Sequence, residues 1–126
     1  MEENFVSQGL LSFIDYNYKT ALDYFNKAIG YKSDYNYFLY RGITYLKLGY
    51  YELSISDFNK CEELNSNDSR LDKQKIKVFF NRALAYLYNS NLINAKTDFT
   101  TAKILAENNN KILIEEYINK IKNLNI

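Results

Sequence analysis

The sequence predicts an all-α fold built from repeated helical units, and three observations carry that reading. Among the 126 residues there is no proline and only four are glycine, so long windows run without a helix breaker. Inside them the apolar residues recur at helical spacing: Ala21, Leu22, Phe25, Ala28 and Ile29 fall at i, i+1, i+4, i+7 and i+8. The chain also matches itself. A shift of 33 places Phe5 on Phe38, Gly9 on Gly42, Leu22 on Ile55 and Phe25-Asn26-Lys27-Ala28 on Phe58-Asn59-Lys60-Cys61. A shift of 41 carries Phe38, Arg41, Tyr45, Leu46, Asp57 and Phe58 onto Phe79, Arg82, Tyr86, Leu87, Asp98 and Phe99, which makes three copies.

Each copy begins with a large aromatic (Phe5, Phe38, Phe79), followed four residues on by a small residue (Gly9, Gly42, Ala83). Its second half carries a small residue (Ala21, Ser54, Ala95), then phenylalanine (Phe25, Phe58, Phe99), then another small residue (Ala28, Cys61, Ala102). This order resembles the tetratricopeptide repeat (TPR), a helix-turn-helix unit of about 34 residues. The small residues let the two helices of a unit approach, and the large ones fill the space between units. Repeats of roughly 2–34, 35–68 and 76–109 cover most of the chain. Two departures stand out: the proline usual near the end of the unit is Ser33, Ser66 or Glu107, and Ser12 replaces the tyrosine seen as Tyr45 and Tyr86.

Two pieces lie outside the copies. Ser69 to Lys75 is an insertion of close to two helical turns that keeps Leu71 on the face of Val78, which predicts a lengthened helix capped by Asp68 or Asn67. A polar loop is the alternative. Residues 110–125 place Ile114, Tyr117, Ile118, Ile121 and Leu124 on one stripe and Lys111, Glu115, Asn119 and Lys122 on the other, the pattern of a helix capping a repeat stack. The resemblance then implies a single TPR domain over 1–126, a right-handed superhelix of antiparallel helix pairs with about seven helices.

Composition narrows function. The chain has no histidine, hence no Ser/His or Cys/His nucleophile pair and no imidazole metal ligand, and the lone Cys61 makes neither an internal disulfide nor a thiolate cluster. An enzyme, a metal or another cofactor is therefore not expected, and a reducing, cytoplasmic setting is. The start Met1-Glu2-Glu3-Asn4-Phe5 lacks the basic and apolar pattern of a signal peptide, and no run approaches the roughly 20 apolar residues of a membrane span. Net charge is +1, too balanced to grip a nucleic acid electrostatically.

In TPR domains the first helix of each pair lines a concave groove for peptides or helices. The resemblance places Val6, Leu10 and Phe13, Leu39, Ile43 and Leu46, and Phe80, Leu84 and Leu87 along it, all nine apolar. An apolar strip of this kind marks an interface. It predicts a module or adaptor that binds an apolar or amphipathic peptide or helix. The alternatives are a homo-oligomer, such as a homodimer, closing on the same surface, or packing of part of the strip between neighbouring first helices. TPR domains that clamp the acidic tails of chaperones use lysine, arginine and asparagine at five groove places. Here these are Val6, Leu10, Tyr40, Lys77 and Asn81, so only Lys77 matches and tail clamping is not expected.

Arg41 and Arg82 sit where the repeat is usually apolar; snorkelling at the helix edge or pairing with acidic neighbours such as Asp57 or Asp98 is the favoured explanation, and meeting a partner carboxylate is the alternative. Tyr31, Tyr35, Tyr37, Tyr50 and Tyr51 read as packing near the turns, Cys61 as an inert buried thiol, and Glu62-Glu63 and Glu115-Glu116 as solvated helix faces. Three repeats and a capping helix also resemble the layout at the start of co-chaperone and ubiquitin-ligase adaptors, so the chain is a candidate for a domain of a longer scaffold.

Overall fold

The computed structural model describes residues 2–64 and 72–109, together with Asn119 and Asn123. Among them run six α-helices: α1 (Glu2–Ile14), α2 (Tyr18–Tyr31), α3 (Tyr35–Leu48), α4 (Tyr51–Glu63), α5 (Asp72–Tyr88) and α6 (Leu92–Asn109). The expectation was about seven; the capping helix over 110–125 lies outside the described residues except for Asn119 and Asn123, which are helical. So do Asn67, Asp68 and residues 69–71. Asp72 to Lys75 of the insertion are helical, and they open α5.

The chain forms two compact units, Met1–Asn65 and Ser66–Ile126. In the first, α1 pairs with α2 and α3 with α4, α3 packs on α2, and α1 touches α3. In the second, α5 pairs with α6. The repeat residues build both cores. Ala21, Phe25, Ala28, Phe58 and Cys61 are fully buried in the first unit, as are Ala83, Ala95 and Ala102 in the second, where Phe80 and Phe99 meet edge to face at 5.6 Å.

The turn inside each pair is one motif made three times. Asn17 N–H donates to Ser12 O at 2.8 Å, Tyr50 N–H to Tyr45 O at 2.9 Å, and Asn91 N–H to Tyr86 O at 2.8 Å, closing the first helix with the six-to-one bond of a Schellman turn. That closure needs a left-handed residue, and Tyr16, Gly49 and Ser90 occupy the same repeat position with φ of 63°, 82° and 64°. Only Gly49 adopts this conformation without a steric cost.

Two glycines serve close approach instead. A Cβ on Gly9 would stand 2.5 Å from the Phe25 ring, and one on Gly42 2.7 Å from the Phe58 ring. Their absence of a side chain brings the helices of each pair together, and Ser54 Oγ then donates to Gly42 O at 2.7 Å.

Candidate functional site

In the first unit α1 and α3 lie beside each other over α2, and an open pocket of about 70 Å³ forms there. Leu10 and Phe13 come from α1, Tyr40 and Ile43 from α3, and Phe25 of α2 closes the bottom. Its exposed wall is carbon only. Gly9 makes the pocket possible, because it lets the Phe25 ring slide beneath α1, where that ring meets Tyr40 at 5.7 Å. Burial, reinforced by the Asp34 charge, pushes the Tyr40 phenol above its ordinary value, so the ring stays neutral.

Size decides what such a pocket can take. At about 70 Å³ it exceeds the roughly 10–15 Å³ that a water molecule needs but falls well below the roughly 300 Å³ at which small-molecule sites begin, a scale that suits a single side chain.

The structure thus gathers Leu10, Phe13, Tyr40 and Ile43 into one site. Val6 is half-buried outside it. Leu39, Leu46 and Phe80 are core residues, buried against neighbouring helices, and offer little surface. The nine residues expected along the groove are thus not equally open, and Leu10, Ile43 and Leu84 remain partly exposed. In the second unit Leu84 and Leu87 pack half-buried against the core, Lys77 is exposed, and Asn81 Nδ2 donates to the Lys77 carbonyl at 2.8 Å. Phe25 had been read only as core. Its equivalence to Phe58 in the repeat hid its second role, which depends on where α1 lies.

Arg41 and Arg82 are structural. Arg41 Nε and Nη2 each donate to Asp57 at 2.8 Å while Nη1 donates to Asn26 at 3.1 Å; Arg82 Nε and Nη2 donate to Asp98 at 2.7 and 2.8 Å. Each guanidinium also stands over two rings, Phe38 and Tyr45 for Arg41, Phe79 and Tyr86 for Arg82. The Asp57 hydrogen bond holds Arg41 above its ordinary value, and burial holds the Asp57 carboxyl above its own despite the opposing pull of Arg41.

The first repeat has Gln8, Ser12 and Tyr24 at these places. It substitutes a ring pair, Phe5 and Tyr24 at 6.5 Å, with Lys27 Nζ over both. Cys61 is buried as expected, its thiol 3.5 Å from the Tyr35 carbonyl. Tyr35 and Tyr37 are buried, whereas Tyr31 and Tyr50 are about half exposed with their rings set against Phe5 at 5.8 Å and Tyr45 at 6.3 Å. Among the described residues no group of three or more acidic, cysteine or histidine side chains could hold a metal ion, and no helix is long and apolar enough to cross a membrane.

Comparison with known proteins agrees with this architecture. Residues 39–68, which span most of α3 and α4, match the family model described as tetratricopeptide repeat. No curated protein matches. Among solved structures, PcrH in complex with the chaperone binding region of PopD is similar with a TM-score of 0.79 and 19% identity, covering 98% of this chain and 90% of that one. The second TPR domain of human RPAP3 in complex with an HSP70 peptide has a TM-score of 0.70 and 22% identity over 97% and 98%. The Yersinia enterocolitica type III secretion translocator chaperone SycD, as an alternative dimer, has 0.73 and 19% over 94% and 92%. Residues 39–68 are a tetratricopeptide repeat, and the helix pairs of this chain have the TPR fold.

Proposed function

We propose that the chain is a cytosolic protein-interaction module in which α1 and α3 capture an apolar or amphipathic segment of another protein. The observation that carries the reading is the carbon-walled pocket between Leu10, Phe13, Tyr40 and Ile43, sized for one aliphatic side chain of that segment. Solved structures of this fold holding peptides lend it support. Burial of apolar surface supplies the energy at about 25 cal/mol per Å² removed from water, so a charge placed at the rim removes it.

Ile43→Asp and Leu10→Asp, both at partly exposed positions, are expected to leave helicity unchanged and abolish partner capture from an extract of the native source. Capture that survives both substitutions would sink the reading. Leu84→Asp examines the second unit separately. An extended peptide ending in an acidic chaperone tail is expected not to bind, because Val6 and Leu10 put carbon, and Tyr40 a neutral phenol, where a clamp needs lysine and asparagine.

Exposed Leu11 and Ile14 on α1 support a second reading, a homo-oligomer. Light scattering separates the two: a concentration-independent mass of 14.9 kDa removes the oligomer.

A further inference from the structure

The solvent-facing row of α6 differs from its counterparts. In α2 the row is Lys19, Asp23, Asn26 and Gly30, and in α4 it is Glu52, Ser56, Asn59 and Glu63, all exposed and none apolar. The same repeat positions in α6 are Ile93, Thr97, Thr100 and Ile104, also all exposed, Ile93 by 80%. The threonines add little polarity, since Thr97 Oγ1 donates to the Ile93 carbonyl at 3.0 Å and Thr100 Oγ1 to the Lys96 carbonyl at 2.8 Å. Stacking a further helix does not explain the row: α3 packs on α2 and leaves the α2 row open.

We propose that this row is a docking surface for an amphipathic helix of a partner protein, one whose apolar seam is flanked by acidic residues. The spacing of four, three and four is that of a two-helix seam, with Ile93 and Ile104 as its outer apolar knobs. Lys96 and Lys103 then fall at the flanking positions that set partner choice, about 10.5 Å apart along the axis, and both are exposed without an ion-pair partner among the described residues. Asp98 is turned inward to Arg82, and Glu107 ends the seam. A second copy is a poor occupant. Antiparallel pairing sets Lys96 and Lys103 against their own equivalents, and parallel pairing sets them against the neutral Asn94 and Thr101. The surface does not depend on the pocket of the first unit.

The test uses the full chain and a synthetic helical peptide of about three heptads with leucine along its seam and glutamate at the flanks, alongside its lysine-flanked counterpart. The acidic peptide is expected to bind at least about tenfold more tightly than the basic one, and Lys96→Glu with Lys103→Glu to reverse that order. Ile93→Glu with Ile104→Glu, which restores the polarity of the α4 row, is expected to abolish binding with helicity retained.

Equal affinity for both peptides would overturn the proposal, as would no binding of either. Binding that survives the isoleucine changes but is lost in Ile43→Asp would place the peptide in the pocket and overturn it too. Vesicles of phosphatidylserine and phosphatidylcholine sedimenting the chain through Ile93, with neither peptide bound, would assign the row to a lipid surface. Slow labelling of an Ile93→Cys thiol in the monomer would assign it to the chain's own C-terminal segment.

Discussion

Arg41 holds Asp57 across sixteen residues with two hydrogen bonds of 2.8 Å, Nε to Oδ2 and Nη2 to Oδ1, and so ties α3 to α4. Arg82 and Asp98 repeat the bond between α5 and α6. The carboxylate is almost wholly shielded, and removing its partner leaves a charge that water cannot reach. Asp57→Ala or Arg41→Ala is expected to cost about 2–4 kcal/mol, somewhat below a fully buried pair because Arg41 keeps some exposure. The double change Arg41→Met with Asp57→Leu should recover much of the loss, and a double-mutant cycle by denaturant unfolding measures the coupling.

Alkaline pH is expected to act through Tyr35. Burial, with the Cys61 and Glu62 charges behind it, pushes its phenol well above the ordinary value of 10.0. A raised folded value means that the stabilising linkage is complete below pH 10 and is lost as pH rises toward the folded value, since the unfolded chain ionises first. Stability measured between pH 9 and about 12 should therefore fall more steeply in the wild type than in Tyr35→Phe. Equal slopes would show that Tyr35 is not the group responsible.

Two glycine substitutions should move stability in opposite directions. Gly30 has open space around it, so Gly30→Ala is expected to add about 0.5–1 kcal/mol through helix propensity. Gly42 faces the fully buried Phe58 ring, and Gly42→Ala is expected to cost about 1–3 kcal/mol by overpacking. Denaturation midpoints of the pair decide both signs.

Ser90 and Tyr16 hold left-handed backbone without glycine's freedom. Ser90→Gly is expected to stabilise the second unit by about 1 kcal/mol in thermal unfolding. Tyr16→Gly should gain less, because Tyr16 also meets Tyr18 edge to face at 6.3 Å. A loss of stability in Ser90→Gly would mean that the αL position carries no strain.

Much of the architecture was legible because close packing repeats. Gly9 and Gly42, Phe25, Phe58 and Phe99, and Ala28, Cys61 and Ala102 recur at fixed intervals, and each answers a local steric demand that a sequence displays directly. The partners of Arg41 and Arg82 were readable for the same reason, as arginine and aspartate recur together in two copies. The three turns were not. Gly49 marks a left-handed position openly, whereas Tyr16 and Ser90 carry no such mark, and only the backbone shows that they share it.

The site divides along the same line. The sequence by itself determined that the chain would form helix pairs, because small and large residues recur at a fixed period, and its resemblance to the tetratricopeptide repeat implied an apolar strip along their first helices. Only the tertiary structure decided which members of the strip remain available. Leu39, Leu46 and Phe80 are as apolar as Leu10 and Ile43, but neighbouring helices bury the first three and leave the other two at the rim of a pocket. The physical reason is that hydrophobicity sets the drive to leave water, while distance between helices sets whether a side chain has left it. Gly9, Phe25 and Tyr40, far apart in the chain, fix that distance here.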